Sequence, residues 1–176
     1  MSLRDWRVAT KGVSSKGVDV SLDEEFMGRA MALAEQAAAV GEVPVGALVV
    51  KDGLVIGEGY NQPITSCDPT GHAEIIAMRN AATALGNYRL SGCDLYVTIE
   101  PCTMCVGAMV HARIGRIIFG AKEPRAGALE SQLRLMDESH YNHSIDWQGG
   151  VLAEQCGAII SGFFRAKRAA GKAPKP

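Results

Sequence analysis

Two short segments set the strongest constraint on how this chain can fold. One, "DPTGHAEIIAMRNAA" (68–82), puts His72 and Glu74 at the mouth of an apolar helix whose face carries Ile75, Met78, Ala82 and Leu85. The other, "EPCTMC" (100–105), lies thirty residues beyond His72 and opens a second helix with Cys102, Cys105, Val106 and Met109 on one side. Pro101 suits the first helical position, where a missing N–H costs nothing. Cys102 and Cys105 then project to one face, and the positive end of the helix favours thiolate over thiol. Two thiolates at that spacing are half of a zinc site. His72 as a third ligand leaves one tetrahedral corner for water, whereas a fourth Cys or His would close the site. Cys67 is the nearest candidate for that fourth ligand.

The carboxylate beside the histidine has a use in an open site. Zinc lowers the pKa of a bound water to about 7, and two thiolates moderate that acidity. Glu74 leaves the same first turn as His72 in another direction, so it is placed to take a proton and hand it on. Each half of the pattern has a plainer reading. Cys-x-x-Cys alone also fits a redox pair, but that motif usually follows a thioredoxin-type strand pattern without a partner His-x-Glu. His-x-Glu alone fits an exposed helix cap. The two together, each before an apolar helix, favour the metal.

The rest of the chain supplies a scaffold. Its 176 residues suit one domain, expected over residues 21–169, with a mobile leader over 1–20 and a frayed basic tail over 170–176. Ser21 and Glu24 match a capping box ahead of Phe26, Ala30, Leu33 and Ala37 at helical spacing, with Gly41 as a stop. "VPVGALVV" (43–50) and "LVIGEGYN" (54–61) read as strands joined through Asp52-Gly53 in a hairpin. "DLYVTI" (94–99) and "RIIFGA" (116–121) are further strands, 122–149 is polar and irregular, and a last helix over about 151–169 buries Leu152, Cys156, Ile159 and Phe163. The order predicts a three-layer α/β domain with a mixed sheet, whose final strand the pattern does not place.

Composition narrows the function. A net charge of −1 excludes a globally basic nucleic-acid binder but not a local basic patch. No window nears the ~18 apolar residues of a membrane span, and the start lacks the apolar core of a secretion signal. No membrane association and a cytoplasmic location follow. Five cysteines, an odd count at low density, argue against a disulfide framework. Near the end, Arg165, Lys167, Arg168, Lys172 and Lys175 stand without an acid, after Phe163 and Phe164. Phe163 fits the apolar stripe, which leaves Phe164 free for a partner. The plain reading is a solvated helix end, where the dipole favours cations.

His-x-Glu followed by Pro-Cys-x-x-Cys is the known signature of the zinc-dependent nucleobase deaminases, and the chain resembles that family. It is most similar to the bacterial tRNA adenosine deaminases in "EVPVGALVV", "GEGYNQPI", "DPTGHAEI", "LYVTIEPCTMCVGAMVHARIGRIIFGA" and "FFRAKR", which span most of Glu42–Arg168. The resemblance implies a cytidine-deaminase-like fold with a five-stranded mixed sheet flanked by helices, and a homodimer. It implies hydrolysis of adenosine to inosine at the wobble position of a tRNA anticodon stem-loop, on a base extruded into a pocket. It assigns one Zn2+ per subunit to His72, Cys102 and Cys105, proton transfer to Glu74, and substrate contacts to Asn61, Ala73, Glu123, Phe164, Arg165 and Arg168. Asn61, otherwise a turn residue before Gln62-Pro63, would hydrogen-bond the adenine. The segment 121–144 departs most from the family. Its members commonly have Asp where Glu123 stands, a more glycine- and serine-rich continuation after Gly127-Ala128, and a basic residue where Ser144 stands. Two alternatives are a base or nucleoside deaminase on the same fold and a zinc-stabilised RNA-binding module without turnover. The basic "FFRAKR" helix weighs against the first, and Glu74 beside an open ligand position against the second.

Overall fold

The computed structural model describes residues 20–138 and 140–171. Most of the predicted leader and tail lies outside them, including Lys172 and Lys175. In chain order the elements are α1 (Val20–Ala39), β1 (Gly46–Lys51), β2 (Leu54–Tyr60), α2 (Ala73–Leu85), β3 (Asp94–Ile99), α3 (Thr103–Ala112), β4 (Arg116–Ala121), a short 3-10 turn (Leu135–Asp137), β5 (Asp146–Gly149) and α4 (Ala153–Gly171).

Hydrophobic alternation builds the sheet. The strands run in the order β2-β1-β3-β4-β5. β1 is antiparallel to β2 and to β3, while β3–β4 and β4–β5 are parallel. The β1–β2 hairpin pairs Lys51 with Leu54, and Asp52 and Gly53 take φ of 50° and 77°. Positive φ at both central residues is the turn whose twist matches paired strands. Successive side chains of β1 face opposite layers. Ala47 and Val49 join a core with α2 and α3, while Leu48 and Val50 join one with α1 and Cys156 of α4. The domain is therefore three layers with an apolar core on each face of the sheet.

Three local expectations are corrected. Ser21 is already inside α1, so it does not cap that helix. Pro101 precedes α3, which begins at Thr103. Cys102 is its N-cap, held extended at φ −80° and ψ 171° by a β-bridge to Gly127, and that pairing delays the helix. α4 starts at Ala153 and runs to Gly171, two residues later at each end than the expected helix. Of its expected core residues only Cys156 is fully buried, with Leu152, Ile159 and Phe163 half-buried. The cause is geometric: α4 packs on β3, β4 and α1, but every described side chain from Phe164 onward is exposed.

Candidate active site

Two helix starts converge on one point. His72 is the N-cap of α2 and Cys102 the N-cap of α3, both with extended backbone. The first intrahelical bonds return to these residues, from Ile76 N–H to the His72 carbonyl and from Val106 N–H to the Cys102 carbonyl, each at 3.0 Å. α2 is drawn close over the edge strand because β2 carries glycine where the helix crosses. A methyl on Gly59 would come within 2.5 Å of the Ala73 carbonyl oxygen. That close approach sets the start of α2 beside Asn61, which directly follows β2.

His72 Nδ1 lies 3.7 Å from Cys102 Sγ and 3.6 Å from Cys105 Sγ. One ligand atom from each of the three residues lies within 4.8 Å of the others. A tetrahedral zinc with Zn–S of about 2.3 Å and Zn–N of about 2.0–2.1 Å needs an S···N separation of about 3.5 Å. The donor set therefore fits zinc in both chemistry and spacing. Cys67, the candidate fourth ligand, is elsewhere. It is exposed, and its thiol lies 3.7 Å from the Ile64 carbonyl oxygen. Among the described residues three protein ligands converge, the donor count of an open zinc site and not of a closed structural one.

The trio's electrostatics are strongly coupled. The hydrogen bond from Cys105, with one to His72, pulls the Cys102 thiol down to about 4. The same bond and burial push the Cys105 thiol far up. Hydrogen bonding to Cys102 raises His72, offsetting the effect of its partial burial. Glu74, 3% exposed, is raised by burial.

A cavity of about 150 Å³ opens beside these groups, lined by Asn61, His72, Glu74, Ile99, Cys102 and Glu123 among others. Asn61 is 8% exposed, and its Oδ1 accepts the Ala73 N–H at 2.9 Å. The acceptor of that bond must be oxygen, so the amide presents its Nδ2 donor to a ligand. Ala73 itself is fully buried with its N–H spent on Asn61. That bond braces the Asn61 side chain from the start of α2. A second groove, of about 480 Å³, is lined by Glu123, Arg125, Ser161, Phe164, Arg165 and Arg168. Glu123 belongs to both walls, so cavity and groove adjoin at its side chain.

Lys167 does not share the groove. Its ammonium sits 5.0 Å from the Phe163 ring centre and 3.5 Å from the Gly41 carbonyl oxygen, toward the end of α1. Sequence pattern alone does not single out Arg125, two residues beyond Glu123, or two buried carboxylates. Glu42 Oε1 accepts the N–H groups of Ile64 and Thr65 at 2.9 and 2.7 Å, fixing the loop between Asn61 and His72, and its Oε2 finds no partner among the described residues. Glu100 is 2% exposed directly after β3. A charged residue closing an apolar strand is the one signal that marks it, because such groups are seldom buried without a partner.

Residues 20–121 match the family model of the cytidine and deoxycytidylate deaminase zinc-binding region. A tRNA-specific adenosine deaminase of Haemophilus influenzae is 49% identical over 154 residues, covering 87% of this chain and 89% of that protein. One from Bacillus subtilis is 40% identical over 153 residues, covering 87% and 95%. A solved structure from a study of A-to-I editing by tRNA:A34 deaminases at the wobble position superposes with a TM-score of 0.75 at 43% identity, covering 77% of this chain and 98% of that one. The chain belongs to the cytidine and deoxycytidylate deaminase family and, within it, to the tRNA-specific adenosine deaminases.

Proposed function

We propose that this protein hydrolyses adenosine to inosine at the wobble position of a tRNA anticodon, releasing ammonia. The observation that carries the reading is a cavity lined by His72 and Cys102 of the metal trio and by the buried Glu74, which adjoins, at Glu123, a groove bearing Phe164, Arg165 and Arg168. The relatives' named activity supports it.

His72, Cys102 and Cys105 hold one zinc per subunit, which supplies Lewis acidity and a more acidic water. Glu74 is the proton carrier. Water adds at C6 of adenine while Glu74 takes one of its protons and passes it to the ring nitrogen. The carboxylate then takes the second proton from the new C6 hydroxyl and gives it to the amine, which leaves as ammonia while the C6 oxygen becomes a carbonyl. A group raised by burial holds its proton nearer neutrality, as a carrier that must give it back requires. Asn61 Nδ2 donates to an acceptor nitrogen of the ring and fixes its plane. The Glu123 carboxylate accepts from a ribose hydroxyl where the nucleotide crosses from groove to cavity. Phe164 offers a stacking face and the two arginines meet phosphates. The groove favours an RNA substrate over a free base, which would use the cavity alone.

The protein acts in the cytoplasm as a homodimer. An apolar cleft of about 230 Å³ between α2 and α3, with Tyr88 exposed at its rim, supports that pair of helices as the contact face. Among the described residues no helix is long and apolar enough to cross a membrane. Incubation with an anticodon stem-loop carrying a wobble adenosine, followed by reverse transcription and sequencing, is expected to give A-to-G changes at that position alone. Turnover of free adenine, guanine or cytidine at comparable kcat/KM, with none on the stem-loop, overturns the reading in favour of a small-molecule deaminase.

A further inference from the structure

Glu100 sits between the metal trio and the substrate loop without belonging to either. Its Oε1 accepts the backbone N–H groups of Leu129, Glu130 and Ser131 at 3.1, 2.8 and 3.0 Å. Its Oε2 accepts the Glu123 N–H at 3.2 Å and the Ser131 hydroxyl. All five donors come from residues 123–131, the segment that carries Glu123 and Arg125 to the junction of cavity and groove. The approach is tight enough to require glycine at 127, because a methyl there would overlap the Glu100 carboxylate. Two more backbone contacts fasten the same segment to the start of α3. Ala128 N–H reaches the Pro101 carbonyl at 2.9 Å, and Gly127 bridges to Cys102.

A buried carboxylate ringed by N–H donors from one loop is an anchor of fixed direction. Both oxygens accept, so a neutral amide does not satisfy the same set. Glutamine at this position would turn an NH2 group toward donors on one side. We propose that Glu100 is a positioning residue for the deamination reaction. It fixes the loop through which Glu123 meets the nucleotide, and it ties that loop to the strand end from which Cys102 follows. The inference rests on the function proposed above, and its effect passes through Glu123, not through metal binding.

The test is a double-mutant cycle of Glu100→Gln with Glu123→Ala, read as kcat/KM on the anticodon stem-loop beside the wild type. Zinc stoichiometry and the melting temperature are measured for each variant. Glu100→Gln is expected to lower kcat/KM by about ten- to a hundredfold, the loss that follows from misplacing a substrate contact, with one zinc per chain retained. In the Glu123→Ala background the same change should cost less than about threefold, since contacts acting through one another are not additive. Hydrogen exchange at 129–131 should rise in Glu100→Gln and not in Glu123→Ala, whose side chain accepts only the Arg125 N–H of that segment. Full additivity, unchanged kcat/KM, or activity falling in step with zinc content overturns the proposal. Should Glu100→Gln not fold, Gly127→Ala perturbs the same contact from the loop side, and its cycle with Glu123→Ala decides the question on the same criteria. A wild type inactive on the stem-loop would refute the proposed function instead, an outcome distinct from every one of these.

Discussion

The cavity beside the metal trio and the adjoining groove proposed to face the RNA are built by opposite means. His72, Glu74, Cys102 and Cys105 stand at two helix starts, with Cys105 in the main core and Glu74 3% exposed. Phe164, Arg165 and Arg168 stand on the outer turns of one helix, where every described side chain is exposed. Burial fixes a side chain's direction through its neighbours, so the first set is in place before substrate arrives. An exposed set has no such neighbours, so each long side chain would give up rotamer freedom on binding a partner. Changes in the first set should therefore act on turnover, and changes in the second on affinity and its salt dependence.

The largest expected effect lies in the buried set. Glu74→Gln keeps shape and burial but cannot carry a proton. It should lower kcat by ~10²–10⁴-fold while the Kd for a stem-loop stays unchanged within error. Equal losses in kcat and in affinity would show Glu74 acting as a binding group, and the division between the two sets would fail there.

In the exposed set the expected signs reverse. Arg165→Ala and Arg168→Ala together should weaken stem-loop binding and flatten the plot of log K against log salt by ~0.7 for each phosphate left without its arginine. Saturating kcat should hold. Phe164→Ala should weaken binding by ~1–3 kcal/mol, the worth of one base stacked on a ring, with no change in the salt slope. A salt slope that moves with Phe164 and not with the arginines would place the backbone of the RNA outside the groove.

The same contrast explains which features the amino-acid sequence discloses and which it conceals. The metal trio is legible because zinc chemistry demands His and Cys at helix starts, and local spacing records that demand. The hairpin is legible through Asp52-Gly53. Pro101 points to a start for α3 two residues too early, because the bridge from Cys102 to Gly127 spans twenty-five positions and leaves no local mark. β5 escapes the pattern. Asp146 and Trp147 are exposed and Gln148 and Gly149 half-buried, so hydrophobic alternation is nearly absent, and pairing with β4 supplies what the pattern lacks. Asp23 accepts hydrogen bonds from Tyr96 at 2.7 Å and from Arg116 at 2.8 Å, across separations of 73 and 93 residues. Glu100 likewise declares itself only once its loop has folded around it.

Lys167 gives the smallest expected effect and the finest test of the comparison. By composition it belongs with Arg165 and Arg168, since all three lie in "FFRAKR". By geometry it does not, because its place on the helix turns it over Phe163 and toward the end of α1, where its ammonium donates to the Gly41 carbonyl oxygen. Lys167→Ala should cost the fold about 0.5–1 kcal/mol, the scale of an exposed cation–π contact, visible as a slightly lower melting temperature. It should leave the salt slope of stem-loop binding where the wild type has it. If Lys167→Ala instead flattens that slope as much as Arg165→Ala does, then α4 attracts RNA as an undirected cloud of charge. The groove beside Glu123 would then lose its claim to guide the nucleotide into the cavity.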